Sequence, residues 1–290
     1  MTRSTAIDTR SRTERVHRAR SHDGTEIAGR VYGEGPPLVF VHGAVADGEV
    51  EWGALVPYLS DRYRCYLMST RGRDLSDANS DLSTERLVQD VVGFVESIAE
   101  PVGLVGASSG GALALGAAAR SSAISALAVY EPVVFEVMSA EVSAGLSETV
   151  ERMTEDVAQQ RPADAARTFL EPILNDDERA ALASSSDYFE AAARWIDVDL
   201  RELRQITEFQ GPSPTDPASL ARITAPAWLL LGSQTALRTW FADGIRHVAD
   251  HVRDARVREI EGAGHLGPSL QPGAIAAALL RAFEGSHQRA

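Results

Sequence analysis

Apolar residues follow two kinds of pattern along this chain, and the two patterns alternate over most of its length. Short continuous apolar runs, such as residues 38–41, 102–105 and 227–231, are typical of buried strands in a parallel sheet. Between such runs lie longer segments in which apolar residues recur every three or four positions, as in amphipathic helices. This alternation predicts an α/β fold, a mostly parallel central sheet with helices on both faces.

The individual elements follow from these patterns. The predicted strands cover residues 16–19, 27–32, 38–41, 63–68, 102–105, 127–130, 227–231 and 257–260. The predicted helices cover residues 52–59, a segment that begins near Ser83, the segment after Ser108, and residues 237–248 and 274–283. The first two strands flank the turn signal His22-Asp23-Gly24, which predicts a β-hairpin.

The alternation stops between residues 135 and 217. This segment is rich in Glu, Ala and Arg, and its pattern is mostly helical. Helices inserted between two strands of such a sheet can form a cap over its ligand-binding edge. We therefore expect a core of residues 13–134 and 218–290, a helical cap of residues 135–217, and a disordered tail of residues 1–12. The alternative is a set of ordinary surface helices packed on the sheet.

The sharpest motif is GASSG at residues 106–110, between the strand 102–105 and a helix rich in Ala and Leu. In that context G-x-S-x-G is typical of a nucleophile elbow, a turn so tight that only small neighbours fit around a strained central serine. Ser108 would then be the nucleophile, and the Ser109 amide would face an oxyanion. Ser109 is a second candidate, but its pattern lacks the first glycine. The simpler alternative is a glycine-rich turn with a bystander serine.

Histidines occur in three settings that bear on chemistry. His42-Gly43-Ala44 ends the strand 38–41, where the Ala44 amide could be a second oxyanion donor and His42 is expected to pin the loop. His265 follows the last predicted strand, among small residues that let its loop approach the elbow. His247 and His251 are spaced i, i+4, but no third metal ligand is evident, so a solvated helix face is favoured over a metal site.

Composition removes several classes of function. The net charge of −13 opposes binding to nucleic acid or to an anionic membrane. All 28 basic residues are arginine, so Schiff-base chemistry and a P-loop lysine are excluded. No apolar run or leader segment predicts a membrane span or secretion. The single cysteine, Cys65, lies in an apolar stretch and is interpreted as a buried strand residue, which favours a reducing cytoplasm.

The order of motifs resembles the α/β-hydrolase superfamily with a cap domain. It runs from DGTEIAGRVYGEGPPLVFVHGA through TRGRDLSD, VGASSGG, AVYEP and LLLGSQ to GAGHLG, over about residues 16–284. The resemblance implies Ser108 as nucleophile, His265 as general base, and the amides of Ala44 and Ser109 as the oxyanion hole. It implies nothing about the substrate.

One position departs from the superfamily pattern. Members usually carry Asp or Glu just after the strand that here covers residues 227–231, whereas this chain has Ser233-Gln234-Thr235. Gln234 brings no charge to stabilise an imidazolium. Glu131, after the strand 127–130, is the alternative acid, since some members place theirs there. A Ser–His dyad without an acid is the remaining alternative.

These observations predict a cytoplasmic serine hydrolase that needs no cofactor or metal and acts on a small, mainly apolar ester, lactone or related carbonyl compound. Its expected substrate pocket includes His42, Gly43, Trp195 and Trp240. Two other functions stay open because the acid is in doubt. One is carbon–carbon bond cleavage or cyclisation in secondary metabolism, and the other is a degenerate hydrolase that only binds a small molecule.

Overall fold

A single eight-stranded sheet organises the described part of the chain. The computed structural model describes residues 15–183, 186–208 and 212–284, so the predicted tail, residues 1–12, lies outside the described residues. The strands are β1 Arg15–Arg20, β2 Glu26–Tyr32, β3 Pro37–Val41, β4 Arg64–Met68, β5 Val102–Ala107, β6 Ile124–Tyr130, β7 Ala227–Gly232 and β8 Ala255–Ile260. Their order across the sheet is β1-β2-β4-β3-β5-β6-β7-β8.

The first two strands differ from the rest of the sheet in direction. β1 pairs with β2, and β2 with β4, in antiparallel register. Every other neighbouring pair is parallel. The sequence predictions of the hairpin and of a mostly parallel sheet are therefore confirmed.

Thirteen α-helices lie in the described ranges. They are α1 Gly48–Trp52, α2 Val56–Leu59, α3 Thr84–Ser97, α4 Ser108–Ala118, α5 Ala140–Ala158, α6 Pro162–Leu170, α7 Asp176–Ala183, α8 Ser186–Ala192, α9 Ile196–Glu208, α10 Pro217–Leu220, α11 Arg238–His251, α12 Gly267–Leu270 and α13 Pro272–Glu284. Among these residues, no helix combines the length and the apolar character that a bilayer-spanning segment needs.

The predicted helix 52–59 is wrong in its start and in its continuity. The helical segment begins at Gly48 because the side chain of Asp47 accepts hydrogen bonds from the amides of Glu49 and Val50 and so caps α1. A short 3-10 turn at Gly53–Leu55 then separates α1 from α2.

Both faces of the sheet are covered by apolar packing, and β3 shows why its sequence is a continuous apolar run. Val39 and Val41 belong to a buried cluster with side chains of α3, α4 and α11. Leu38 and Phe40, which point to the other face, belong to a second cluster with side chains of α1, α2 and α13. A strand that is buried on both faces has no solvent-facing position, so the alternation of polar and apolar residues disappears.

Six helices, α5–α10, lie between β6 and β7, and the first five of them, α5–α9, fall where the alternation of strands and helices stops in the sequence. We call residues 140–208 the helical insertion. Its helices share an apolar cluster that includes Met153, Leu170 and Phe189. Val45 and Leu266, from loops that follow β3 and β8, belong to the same cluster. The insertion therefore packs on loops at the carboxyl edge of the sheet. The division of the chain into core and cap stays a prediction.

Candidate active site

The turn from β5 into α4 holds Ser108 in an unusual backbone conformation. Its φ is +53°, in the left-handed region that few residues other than glycine adopt. The turn is also crowded, because a Cβ on Gly106 would lie 2.4 Å from the Gly110 carbonyl oxygen, and one on Gly110 would lie 2.3 Å from the His42 oxygen. The two glycines of the motif are therefore required by backbone contact, as expected for a nucleophile elbow.

A carboxylate and an imidazole meet beside this turn. Glu131 directly follows β6 and has a φ of +45° and no exposed surface. The Nδ1 of His265 donates to Oε2 of Glu131 over 2.7 Å. The His265 ring is 5% exposed and stacks on Phe241 with ring centroids 4.8 Å apart. With Nδ1 occupied by the carboxylate, Nε2 is the ring nitrogen that remains able to accept a proton.

The end of β7 and its following loop hold the Glu131 carboxylate in place. The Gly232 amide donates to Oε1 over 2.9 Å, and the Thr235 hydroxyl donates to Oε2 over 3.1 Å. The side chain of Gln234 is exposed and contacts Ser233. Of the two candidates left open by the sequence, the structure thus brings Glu131 to His265 and leaves the Gln234 side chain at the surface.

The surroundings of His265 favour its charged form. Burial by itself lowers the pKa of this imidazole, but the hydrogen bond and the charge of Glu131 raise it. The nearby carboxyls of Glu51 and Glu178 raise it further, and together these groups outweigh burial. The pKa of His265 is therefore above its ordinary value, so a proton taken up at Nε2 is stabilised.

The loop after β3 lies against the elbow. A Cβ on Gly43 would be 2.9 Å from Cβ of Ser108, so the two residues are in direct contact. The Gly43 amide donates to Oε2 of Glu51, and the Val45 amide donates to Oδ1 of Asp199 over 2.9 Å. Because its two neighbours are held by carboxylates, the orientation of Ala44 beside Ser108 is fixed from both sides.

His42 is buried behind this loop. Its Nδ1 donates to the Gly43 carbonyl oxygen over 2.7 Å, and its Nε2 accepts from the Thr70 amide over 3.1 Å. Burial, followed by the charge of Arg73, lowers the pKa of His42 to about 4. The ring is therefore neutral near pH 7 and braces the loop, which agrees with the pinning role expected from the sequence.

Two carboxylates of the helical insertion bind backbone amides next to the candidate catalytic groups. Asp199 of α9 accepts from the Val45 amide and also from Arg73. Glu178, at the start of α7, accepts a hydrogen bond over 2.7 Å from the amide of Leu266, the residue that directly follows His265. The loop that bears Ala44 and the loop that bears His265 are thus both anchored to the insertion.

A cavity of about 630 Å³ opens at Ser108. Its lining includes Ala44, Ser108, Ser109 and His265, together with residues of α5 and α9 from the insertion. Most of its other lining side chains are apolar, among them Leu113, Val133, Met138, Leu146, Phe169, Ile206, Leu237 and Trp240. The cavity is of the size and character that binds a small apolar molecule.

Of the four predicted pocket residues, two line a cavity beside Ser108 and two do not. Trp240 lines the large cavity, and Gly43 lines a smaller one that also contacts Ser108. His42 lines neither of these two, because it is packed behind the loop after β3. Trp195 also lines neither cavity, and its Nε1 donates to Asp47 over 2.9 Å. The structure thus places His42 and Trp195 outside the linings of these two cavities.

His247 and His251, which are spaced i, i+4 on α11, each form a hydrogen bond with a main-chain carbonyl oxygen. His247 Nε2 hydrogen-bonds the Thr215 carbonyl over 2.9 Å, and His251 Nδ1 hydrogen-bonds the His247 carbonyl over 2.8 Å. Within residues 15–183, 186–208 and 212–284, no group of three or more His, Cys, Asp or Glu side chains is arranged to hold a metal ion.

Four residues of the site carry little or no signal in the sequence: Thr235, Glu51, Glu178 and Asp199. Thr235 offered a weak signal, a hydroxyl in the loop where an acid was expected. The three carboxylates offered none, because each lies on a helix among many other acidic residues and acts on a loop of a different element.

Comparisons with known proteins agree with this architecture. A sequence profile of the alpha/beta hydrolase family matches residues 38–278, a range that includes Ser108, Glu131 and His265. A putative non-heme bromoperoxidase, BpoC, of Mycobacterium tuberculosis is 26% identical over 87% of this chain and 95% of its own length. A crystal structure of an alpha/beta hydrolase from Sphaerobacter thermophilus superimposes with a TM-score of 0.69 at 26% identity, over 92% of this chain and all of that one.

A shorter similarity covers one part of the chain. The pyrrolizixenacetamide deacetylase of Xenorhabdus hominickii is 35% identical over 89 residues, which is 30% of this chain. The match spans about a third of that deacetylase (34%).

Proposed function

This chain belongs to the alpha/beta hydrolase family, and from that membership we propose that it is a serine hydrolase of small, mainly apolar carbonyl compounds such as esters or lactones. The observation that carries the proposal is the 2.7 Å hydrogen bond between Glu131 and His265, whose ring lines the same cavity as Ser108, a serine in a left-handed elbow. Glu131 fixes the tautomer of His265, and Ser108 shares a cavity wall with that ring.

The proposed acylation step uses these groups in sequence. The Oγ of Ser108 attacks the substrate carbonyl carbon while Nε2 of His265 takes its proton. Glu131 stabilises the imidazolium that forms, and the amides of Ala44 and Ser109 stabilise the oxyanion. His265 then gives the proton to the leaving alcohol, and an ester between Ser108 and the acyl group remains.

Water completes the reaction by the same path. Nε2 of His265 takes a proton from a water molecule as the water oxygen bonds to the acyl carbon. The bond to Oγ of Ser108 then breaks, and Oγ takes the proton back from His265. The acid product leaves and the enzyme is restored, so this acyl transfer requires no cofactor.

The lining of the large cavity supports a mainly apolar substrate. A volume of about 630 Å³ can hold an acyl chain and an alcohol of moderate size, and side chains such as Phe169, Ile206 and Trp240 offer them apolar contact. The deacetylase similarity adds weak support for acyl-group removal as the reaction class.

The remaining parts of the proposal concern the cellular setting. We propose that the enzyme works in the cytoplasm on a small-molecule substrate, and that it binds neither nucleic acid nor a membrane.

The single cysteine is not a competing nucleophile. Burial raises the pKa of the Cys65 thiol to about 12, so this residue is inert and the proposed hydrolysis depends on serine.

The argument for a carbon–carbon-bond enzyme or a binding module started from the missing acid after β7. The contact between Glu131 and His265 removes that argument.

A fluorophosphonate reagent tests the proposal directly. We expect it to label the folded wild-type protein covalently, and we expect the protein to hydrolyse p-nitrophenyl esters. Trypsin cleaves after Arg86 and Arg120 and so releases one peptide that holds the whole elbow. Fragmentation of that peptide by mass spectrometry should place the adduct on Ser108. A folded protein with neither labelling nor turnover would refute the proposed function.

The pH dependence of kcat/KM should reflect the raised pKa of His265. Activity needs the neutral imidazole, so it should rise with pH, and the midpoint of the acid limb should lie above 6.5. Glu131, Glu51 and Glu178 face this ring, and Glu51 titrates in the same range, so the midpoint belongs to the coupled groups. A profile measured with a non-ionisable ester checks this, and a midpoint at or below 6.5 contradicts it.

A further inference from the structure

Ser108 and His265 border two cavities. Besides the large one, a second cavity of about 20 Å³ contacts both residues. Its polar lining side chains are Glu51, Ser108, Tyr188 and His265. Its apolar lining comes in equal parts from α6 with the turn that follows it and from the loops after β3 and β8. One water molecule needs about 10–15 Å³ of such space and two to four polar partners. The small cavity thus has the size and polar partners for a single water.

Glu51 is held firmly at the wall of this cavity. It lies on α1, whose N-terminus is capped by Asp47, and its Oε2 accepts a hydrogen bond from the Gly43 amide. A carboxylate has a second oxygen and further lone pairs, so this contact leaves Glu51 able to accept another hydrogen bond. The Glu51 carboxyl also acts electrostatically on His265, which places its charge near the proposed base.

We propose that Glu51 binds and orients the water that hydrolyses the acyl-enzyme, and that this water occupies the small cavity. The inference rests on the proposed function, since it concerns the second half of that reaction. The water donates one hydrogen to the Glu51 carboxylate and the other to Nε2 of His265. The second proton passes to His265 as the water oxygen bonds to the acyl carbon. The acyl–Oγ bond then breaks, and His265 returns the proton to Ser108.

The separation of the two cavities gives this arrangement a physical advantage. The acyl group of the intermediate would occupy the large, mainly apolar cavity, where it displaces water. A water bound beside Ser108 in the small cavity would stay in contact with the base throughout. Such positioning accounts for a large part of the barrier reduction in reactions between two bound groups.

The electrostatic state of Glu51 fits the role of acceptor. Burial raises its pKa to about 7, although the Gly43 amide and the charge of His265 both lower it. Formation of the imidazolium during attack by water favours the ionised carboxylate, because the two charges attract. Glu51 is therefore a stronger acceptor when the proton moves to His265 than it is in the resting enzyme.

A purely structural role for Glu51 predicts a different outcome. If this residue only braced the Gly43 amide, its replacement would disturb the loop beside Ser108, and acylation and deacylation would suffer together. The Glu51→Gln variant keeps an oxygen that can accept from Gly43 but loses the charge. It therefore separates the two roles.

The experiment compares wild type with Glu51→Gln and with the matched control Glu49→Gln. Glu49 lies on the same helix, but its carboxylate accepts from the Tyr32 hydroxyl. Stopped-flow with p-nitrophenyl acetate, at a pH well above the acid limb, resolves the acylation burst from steady-state turnover. We expect Glu51→Gln to lower the burst rate and the fluorophosphonate labelling rate far less than the steady-state rate, because the lost charge weakens the imidazolium in both steps, whereas the lost water site affects deacylation alone. We expect its steady-state rate to fall about 10- to 100-fold while acyl-enzyme accumulates, and Glu49→Gln to match wild type.

Hydroxylamine supplies a second readout, since it attacks the acyl-enzyme in place of water. It should restore turnover in Glu51→Gln by consuming the accumulated intermediate. An equal fall of burst and steady-state rates, or unchanged turnover in Glu51→Gln, would overturn the inference and leave the serine mechanism standing. Failure of wild type itself to form an acyl-enzyme or to be labelled would overturn both proposals.

Discussion

Replacement of Glu131 by glutamine is expected to lower kcat/KM for an ester by about 10⁴-fold, the size of effect that an amide causes at this position of a catalytic triad. The reason lies in the two donors that share the carboxylate with His265. Gly232 donates to Oε1, and Thr235 donates to Oε2. A carboxylate satisfies all of these donors because both of its oxygens only accept.

An amide cannot satisfy them in either orientation. If the oxygen of the glutamine amide faces Gly232, its NH₂ group faces Nδ1 of His265. The ring must then accept at Nδ1, which selects the tautomer that leaves Nε2 protonated and unable to act as a base. With its oxygen toward His265, the NH₂ group opposes the Gly232 amide, and a buried donor loses its partner. Both orientations also remove the charge that stabilises the imidazolium.

The measurement is steady-state kinetics of Glu131→Gln beside the control Gln234→Ala, with thermal unfolding to verify the fold. Gln234 lies in the loop where the superfamily pattern implies an acid, but its side chain is exposed. We expect Gln234→Ala to retain wild-type activity. Near-normal kinetics in a folded Glu131→Gln, or a comparable loss in Gln234→Ala, would show that Glu131 does not orient His265.

Replacement of Ser108 by alanine should be the most damaging single change to activity. Removal of the nucleophile from a working triad costs on the order of 10⁶-fold in kcat, so turnover should fall below detection. Alanine is as strained as serine at a φ of +53°, so the stability of the fold should change little. Ester hydrolysis and fluorophosphonate labelling, with a thermal melt of the same sample, check this expectation.

Ser109→Ala decides between the two serines of the elbow. It removes the second hydroxyl but keeps the backbone amide that the oxyanion requires. We expect covalent labelling to persist in this variant and to vanish in Ser108→Ala. The reverse pattern would move the nucleophile to Ser109, and labelling of both variants would remove the elbow from the mechanism.

The sheet could be predicted because its signals are local. The run at β3 is continuously apolar since its alternate residues enter opposite core clusters. The hairpin of β1 and β2 was marked by a turn between two apolar runs. The start of α1 was missed because Asp47 acts as its cap, a role that a single Asp in a glycine-containing loop does not reveal.

Only part of the site could be predicted from the sequence, because most of its contacts join residues that are far apart in the chain. Ser108 was identified from its immediate neighbours, which must be small. Glu131 stayed one of two candidates, since its contact to His265 joins residues 134 positions apart. Glu51 lies next to a buried tryptophan and had no distinguishing pattern at all. The apolar character of Trp195 predicts a pocket residue, whereas its indole nitrogen donates to Asp47.

The hydrogen bonds that join the helical insertion to the loops after β3 and β8 limit how this enzyme can be re-engineered. A chimera that exchanges residues 140–208 for helices of a relative would lose the carboxylates that receive the amides of Val45 and Leu266. It would also leave the buried Arg73 without its ion-pair partners, because Asp199 and Glu202 both lie in the exchanged segment. The insertion is therefore not an interchangeable module. Redesign of specificity should substitute the residues that face the large cavity and keep Glu178 and Asp199.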